Sequence, residues 1–262
     1  MRAPSRLAQQ VHRGDLDDLE SLRSGAAAAD GVIHTAFNHD FSKYAANCEA
    51  DRHVIEAIGS VLAGSDRPLI ITSGTGMANA VPSQLAIEEN AAASSAAVPR
   101  AASEEAATSV AGRGVNVSVV RLPQVHNRVK QGLVTYAIGL ARDKGISAFV
   151  GDGLNRWPAA HVLDTARLYR LALEKQKAGA RYHAVAEEGV PLRDIAEVIG
   201  RGLKVPVVAL SPEEAAAHFG WLGAFAGRDV PASSAQTRGR LGWHPTGPGL
   251  IADLEQMRYF EG

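Results

Sequence analysis

The sequence predicts an α/β fold built on a parallel sheet, and three observations carry that reading. Short apolar runs alternate with longer stretches of helical periodicity. Their order along the first half is strand, helix, strand, helix, strand, the signature of parallel strands joined by helical crossovers. The chain of 262 residues, 46% hydrophobic and 21% charged, is long enough to bury the core of one or two such domains.

Taken in order, Gly31–Ala36 is a compact buried strand. A helix follows over Tyr44–Leu62, where Val54, Ile55, Ile58, Val61 and Leu62 fall on one face at helical spacing. Pro68–Thr72 is the next strand, closed by Ser73-Gly74-Thr75-Gly76. Ser103–Ala111 reads as a helix with Ser103 as its cap and Glu104 and Glu105 in its first turn. Gly112-Arg113-Gly114 ends it, and Val115–Leu122 is a strand stopping at Pro123. Beyond lie a helix over Val134–Asp143, a short strand Ala148–Val150 with the turn Gly151-Asp152-Gly153, and an amphipathic stretch Asp164–Lys177. Tyr182–Ala186 and Val205–Leu210 are strands. Between them Pro191–Gly200 is a helix opening with proline, and Ser211-Pro212-Glu213-Glu214 starts another. The C-terminal third carries two of the three tryptophans and half of the twelve prolines and loses this rhythm, so it reads as a smaller lobe on the first domain. Ala91–Ala97 reads as a mobile surface segment.

Composition excludes several classes of function. With 27 Lys and Arg against 28 Asp and Glu, the formal charge is −1, so no nucleic-acid partner or membrane surface is indicated. A single cysteine, Cys48, forms no intramolecular disulfide framework and fits a reducing compartment. The nine histidines are scattered without H-E-x-x-H spacing or a carboxylate cluster, so no metal site is expected. No apolar run approaches the ~20 residues of a membrane span. Arg2 and Arg6 are not followed by an apolar signal region, and the expected location is cytoplasmic. Ser73-Gly74-Thr75-Gly76 lacks the G-x-S-x-G elbow of a hydrolase. Trp221, Trp243 and Phe225 read as packing rather than a stacking platform for nucleic acid.

Six segments then stand in a telling order: His12-Arg13-Gly14-Asp15-Leu16, Val32-Ile33-His34-Thr35-Ala36, Asn47-x4-Arg52-His53-Val54, Leu69-Ile70-Ile71-Thr72-Ser73, Val119-Val120-Arg121-Leu122-Pro123, and Gly151-Asp152-Gly153 followed by His161-Val162-Leu163-Asp164. In that order they resemble the extended and atypical short-chain dehydrogenase/reductases, the NAD-dependent epimerase/dehydratase-like family. The resemblance implies a Rossmann-type parallel sheet, incomplete at its N-terminus, with a smaller C-terminal substrate lobe. Residues 1–150 would form a partial nucleotide-binding domain. Residues 151–262 would form a mixed α/β substrate lobe with strands returning to the core. The implied cofactor is NAD or NADP. Asp15 and Leu16 would lie against the adenine, Thr35 and Ala36 would line a ribose, Ser73 would stand beside the cofactor, and Pro123-Gln124-Val125 would fold over the nicotinamide.

Two departures matter. No G-x-x-G-x-x-G occurs anywhere, although such a turn, with a helix N-terminus behind it, cradles the pyrophosphate in this fold. The resemblance implies that the first strands and helices are missing, so weak or absent NAD(P) binding is expected. The family's P-Y-x-x-S-K aligns with Pro99-Arg100-Ala101-Ala102-Ser103-Glu104, replacing tyrosine by Arg100 and lysine by Glu104. Arg100 is a permanent cation and no general acid at neutral pH, and none of Tyr44, Tyr136, Tyr169, Tyr182 or Tyr259 has Lys four residues on. Strict register puts Gly74 where the family carries its catalytic serine.

The candidate catalytic residues are therefore Ser73, Thr75 and Arg100, with bland readings beside them. Ser73 orients a substrate carbonyl or only hydrogen-bonds at a strand end, and Asp15 touches adenine or only caps a turn. Asn47 is structural. His126 faces a substrate or lies on the surface, and His161 and Asp164 are architectural, Asp164 as a helix cap. Arg100 either receives a carboxylate-bearing ligand in its bidentate fork or pairs with Glu104 on the surface one turn away. The strand ends Asp15-Leu16, Thr35-Ala36, Thr72–Thr75 and Pro123–Val125 should converge on one cleft, roofed by the lobe that holds Trp157 and Trp221. The leading expectation is an NAD(P)-binding oxidoreductase-like protein acting on a small carbonyl or alcohol. The alternatives are a catalytically silent nucleotide or metabolite sensor and a truncated inactive product. The expected partner is a small-molecule substrate, with a homodimer as the assembly to test.

Overall fold

Charge-free apolar runs need burial on both faces, and the chain gives it to them. The computed structural model describes residues 11–78 and 83–259; Arg2 and Arg6 lie outside them. The first half alternates α1 (Leu19–Ala27), β1 (Val32–His34), α2 (Tyr44–Leu62), β2 (Pro68–Gly74), α3 (Ala102–Gly112) and β3 (Asn116–Leu122). There follow β4 (Gln124–His126), α4 (Val134–Lys144), β5 (Ser147–Val150), β6 (Arg156–His161), α5 (Val162–Lys175) and β7 (Arg181–His183). The chain ends with β8 (Glu187–Pro191), α6 (Leu192–Leu203), β9 (Val207–Leu210), α7 (Pro212–Phe219), α8 (Gly223–Ala226), α9 (Ala235–Leu241) and α10 (Leu250–Glu255).

The main sheet has the order β1-β2-β3-β7, with every pair parallel. Side chains alternate across it with the period of two that a strand imposes. Leu69, Ile71, Val117 and Val119 pack under α2 and α3, whereas Ile70 and Val120 meet Leu168, Tyr169, Tyr182 and Trp243 on the α5 side. Gly59 lets α2 touch α3, since a Cβ there would stand 2.5 Å from Val110 Cγ1. Two smaller sheets, β4-β6-β8 and β5-β9, accompany a second core built from α4, α6, α7 and α10. Among the described residues no helix is long and apolar enough to cross a membrane.

Several local expectations are corrected. Ser103 does not cap α3: it lies inside the helix, and its hydroxyl donates to Asp51. Asp164 is also inside its helix, accepting from the backbone N–H of Thr246 and Gly247, while His161 is the residue that caps α5. His126 is not on the surface; it is 1% exposed, with Nδ1 2.7 Å from Asp253 Oδ2. Helix α1 appears where no helix was expected, started by Asp18, whose carboxylate accepts from Glu20 and Ser21 N–H. The predicted start of α7 holds, with Ser211 and Glu214 forming a capping box.

Candidate functional site

In an open parallel sheet the strand carboxyl ends face a crevice. Here the ends of β1, β2 and β3 and the following β4 open onto one cleft of about 380 Å³. Thr35, Thr72, Ser73, Gly74, Thr75, Pro123, Gln124 and Val125 all line it, as does Arg100. Asp15, Leu16 and Ala36 are not among its lining residues. Asp15 instead accepts from Asp17 N–H in a turn, and Leu16 packs at the edge of the α1–α2 core. Of the two tryptophans expected as a roof, Trp157 lines the cleft; Trp221 stands behind, stacked on Phe41 at 4.1 Å between ring centroids.

Arg100 and Glu104 look away from each other into separate buried pairs. Arg100 Nη1 donates to Asp51 Oδ2 at 2.8 Å and also contacts Ser103. Its Nη2 donates to the Thr72 carbonyl at 3.0 Å, and the guanidinium lies 4.3 Å above the Phe37 ring. Asp51 Oδ1 is 2.7 Å from His34 Nε2. Burial pushes the Asp51 carboxyl up, but hydrogen bonds from His34 and Ser103 with the Arg100 charge outweigh it and leave the group below its ordinary range. Thr72 joins this layer: its hydroxyl donates to the His34 carbonyl at 2.7 Å and lies 2.6 Å from the Tyr169 hydroxyl. The alternative of a surface Arg100–Glu104 pair is thus overturned.

On the far side of β2, Glu104 forms a two-pronged pair with Arg121, both contacts at 2.8 Å. Arg121 is fully buried in β3 and reaches His183 Nε2 at 3.3 Å; His183 Nδ1 lies 2.9 Å from the Ser233 carbonyl. Burial raises the Glu104 carboxyl, yet the Arg121 bond and charge bring it below its ordinary value. Burial and then the Arg121 charge push His183 down to about 4. Ser73 faces this layer, where its buried hydroxyl helps to hold the Glu104 carboxyl below its ordinary value. Thr75 Oγ1 makes only a long contact, 3.4 Å, to the Leu122 carbonyl. Asn47 is structural, donating to the Asn38 and Asp40 carbonyls.

Two tyrosines line the cleft, Tyr44 and Tyr136. Burial pushes Tyr44 up to about 12, opposite to what a phenolic proton donor needs. Among the described residues no three His, Cys, Asp or Glu side chains gather as metal ligands. Sequence reasoning missed Asp51, His34, Arg121 and the cations Lys130 and Arg228 of the cleft wall. Only Arg121 carried a signal, as a charge inside the apolar run Val119-Val120-Arg121-Leu122.

A parallel sheet whose strand ends open on a shared cleft matches a known class. The chain belongs to the NAD dependent epimerase/dehydratase family, which matches residues 2–186. Among its relatives, an uncharacterised protein of Schizosaccharomyces pombe is 47% identical over 248 residues, covering 94% of this chain and 83% of its own. An uncharacterised protein of Saccharomyces cerevisiae is 43% identical over the same share of each chain. Similar solved structures include the dTDP-glucose 4,6-dehydratase of Streptomyces venezuelae, with a TM-score of 0.75 at 17% identity over 94% of this chain and 78% of that one. The UDP-glucose 4-epimerase of Thermus thermophilus gives 0.71 at 16% identity over 95% and 84%. These two share the fold.

Proposed function

We propose that this protein is an NAD(P)-binding, oxidoreductase-like member of its family, located in the cytoplasm, that takes a small carbonyl or alcohol compound in the cleft. The observation that carries the reading is the convergence of the β1, β2, β3 and β4 ends on that cleft. Both solved relatives named above hold NAD, which supports a nicotinamide nucleotide here. The residues present fit one end of it. Thr35, the Thr72–Thr75 turn and Pro123–Val125 offer hydroxyls, backbone groups and a flat apolar wall for a ribose and a nicotinamide ring, the place this fold gives them. Among the described residues no glycine-rich turn stands before a helix N-terminus to cradle the pyrophosphate, so the other end lacks that support. Bound nicotinamide would supply hydride chemistry; the chain's own part is to bind, to orient and to exclude water. Ser73 and Thr75 are the hydroxyls nearest such a role, and Arg100 stiffens the wall.

A catalytically silent sensor is the second reading, favoured by the commitment of Arg100 and Glu104 to buried pairs. Calorimetric titration with NAD+, NADH, NADP+, NADPH and nicotinamide mononucleotide tests the nucleotide reading. Binding weaker than low micromolar is expected, with the mononucleotide losing little against NAD+. Low-micromolar NAD+ affinity would overturn the missing-cradle argument, and no binding of any nucleotide would overturn the cofactor. Turnover of NADH with a carbonyl panel, followed by nicotinamide absorbance, separates enzyme from sensor.

A further inference from the structure

We infer that the cleft holds a subsite for a small aromatic carboxylate, with Arg228 receiving the carboxylate and Lys130 adding charge. The inference rests on the cleft being the ligand site, as argued above. Its first support is the balance of charge. Arg100, Lys130, Arg228 and His39 line the cleft, and among the described lining residues there is no carboxylate. These cations are not equivalent. Arg100 is neutralised by Asp51 and its donors are occupied by Asp51 and the Thr72 carbonyl, so it is poorly placed to take a ligand anion.

Arg228 and Lys130 have no side-chain hydrogen bond or ion pair among the described residues, and Arg228 is half-buried. The Arg228 backbone is fixed at both ends, its N–H donating to the Phe225 carbonyl at 3.0 Å and its carbonyl accepting from Asn155 at 3.2 Å. A guanidinium on a held backbone, without an internal partner, matches a carboxylate in geometry and charge. The field it makes is felt locally: the charges of Arg100 and Arg228 both bear on the Tyr44 phenol. Burial holds His39 down first, and the Lys130 and Arg100 charges add to it.

The second support is the wall. Phe37, Phe41, Tyr44, Tyr136, Trp157 and Phe225 line the cleft. They brace one another, Phe41 stacking on Tyr44 at 5.6 Å and meeting Tyr136 edge-on at 5.6 Å. Rings fixed in this way receive another ring, offset or edge-on, better than they receive the hydroxyls of a sugar. A cleft of about 380 Å³ is also at the small end of ligand sites, which favours a single-ring compound over a nucleotide sugar.

Calorimetry on the full chain with benzoate, benzamide, acetate and inorganic phosphate tests this. Benzoate should bind at least tenfold more tightly than benzamide or acetate. Arg228→Gln should weaken benzoate at least tenfold with an unchanged melting temperature, Arg228→Lys should recover part of the loss, and Lys130→Gln should weaken it less. The inference is overturned if benzamide matches benzoate or if Arg228→Gln has no effect. Phosphate binding as tightly as benzoate would show an anion hole without ring recognition and overturn it too. NAD+ titrated in parallel keeps the two readings apart. Loss of benzoate selectivity with nucleotide binding intact removes only the subsite, whereas selective benzoate binding with no nucleotide binding removes only the cofactor.

Discussion

Arg100 and Glu104 stand four residues apart, a spacing that on a helix surface would bring them together for a few tenths of a kcal/mol. The fold gives each a stronger partner, distant in the chain: Asp51 for Arg100 and Arg121 for Glu104. The helical spacing was legible in the sequence; the partners were not, because nothing local marks Asp51 as the residue that α2 turns toward His34 and Ser103. The consequence can be measured. Asp51 is 4% exposed, so removing its cation leaves a buried carboxylate held only by His34 and Ser103. Breaking one side of such a pair costs about 3–5 kcal/mol. Arg100→Ala should therefore lower the unfolding free energy measured in urea by an amount in that range, and Arg100→Lys should restore only part, since an ammonium cannot reach Asp51 and the Thr72 carbonyl with the same fork. A loss below about 1 kcal/mol would show that Asp51 finds another partner.

At the scale of elements, the buried chain Glu104–Arg121–His183 ties α3 to β3 and β3 to β7. It makes stability depend on pH in a definite direction. The unfolded His183 ring titrates near its ordinary 6.5, whereas the folded ring stays neutral down to about 4. Between those values the unfolded chain binds the extra proton, so stability falls as pH drops through the window and this contribution stops changing below it. His126, lowered chiefly by burial, adds in the same sense. Glu104, lowered in the fold, stabilises above its unfolded value and loses that contribution at lower pH, as it protonates. Urea midpoints taken from pH 8 to pH 4 should decline below about 6.5, and His183→Gln should flatten the part between 6.5 and 5. An identical slope in the variant would refute the assignment. The elements themselves were unevenly legible. Helix α2 was readable to the residue because five apolar side chains repeat on one face. Strand β6 was missed because Pro158 interrupts it: proline has no N–H to donate, and the β6–β8 register shifts between Trp157 and Ala159. Strands β4 and β8 are short, and α1 buries only Ala26 fully, so neither periodicity had length enough to show.

For the molecule as a whole, the sequence anticipated one cleft at the strand ends but not which side chains close it. Its lobe boundary near residue 150 remains a proposal, and the packing dictates how it would behave. Tyr182 in β7 and Leu168 and Tyr169 in α5, all beyond that boundary, cover the face of Ile70 and Val120, with Trp243 among them. In return Val134 and Ile138 of α4, before the boundary, sit in the second core with Ile195 and Leu254. Each part thus holds apolar surface that only the other covers, at ~25 cal/mol per Å² of exposure. Residues 1–150 alone should not fold, and the whole chain should unfold in one step. All three tryptophans, Trp157, Trp221 and Trp243, lie after residue 150, so their fluorescence reports the second part while far-ultraviolet circular dichroism reports both. Coincident urea transitions by the two probes are the expected outcome. A fluorescence transition that finishes while the remaining helix signal is still unchanged would show two independently stable lobes, and the shared face of β2 and β3 would then contribute far less than its burial implies.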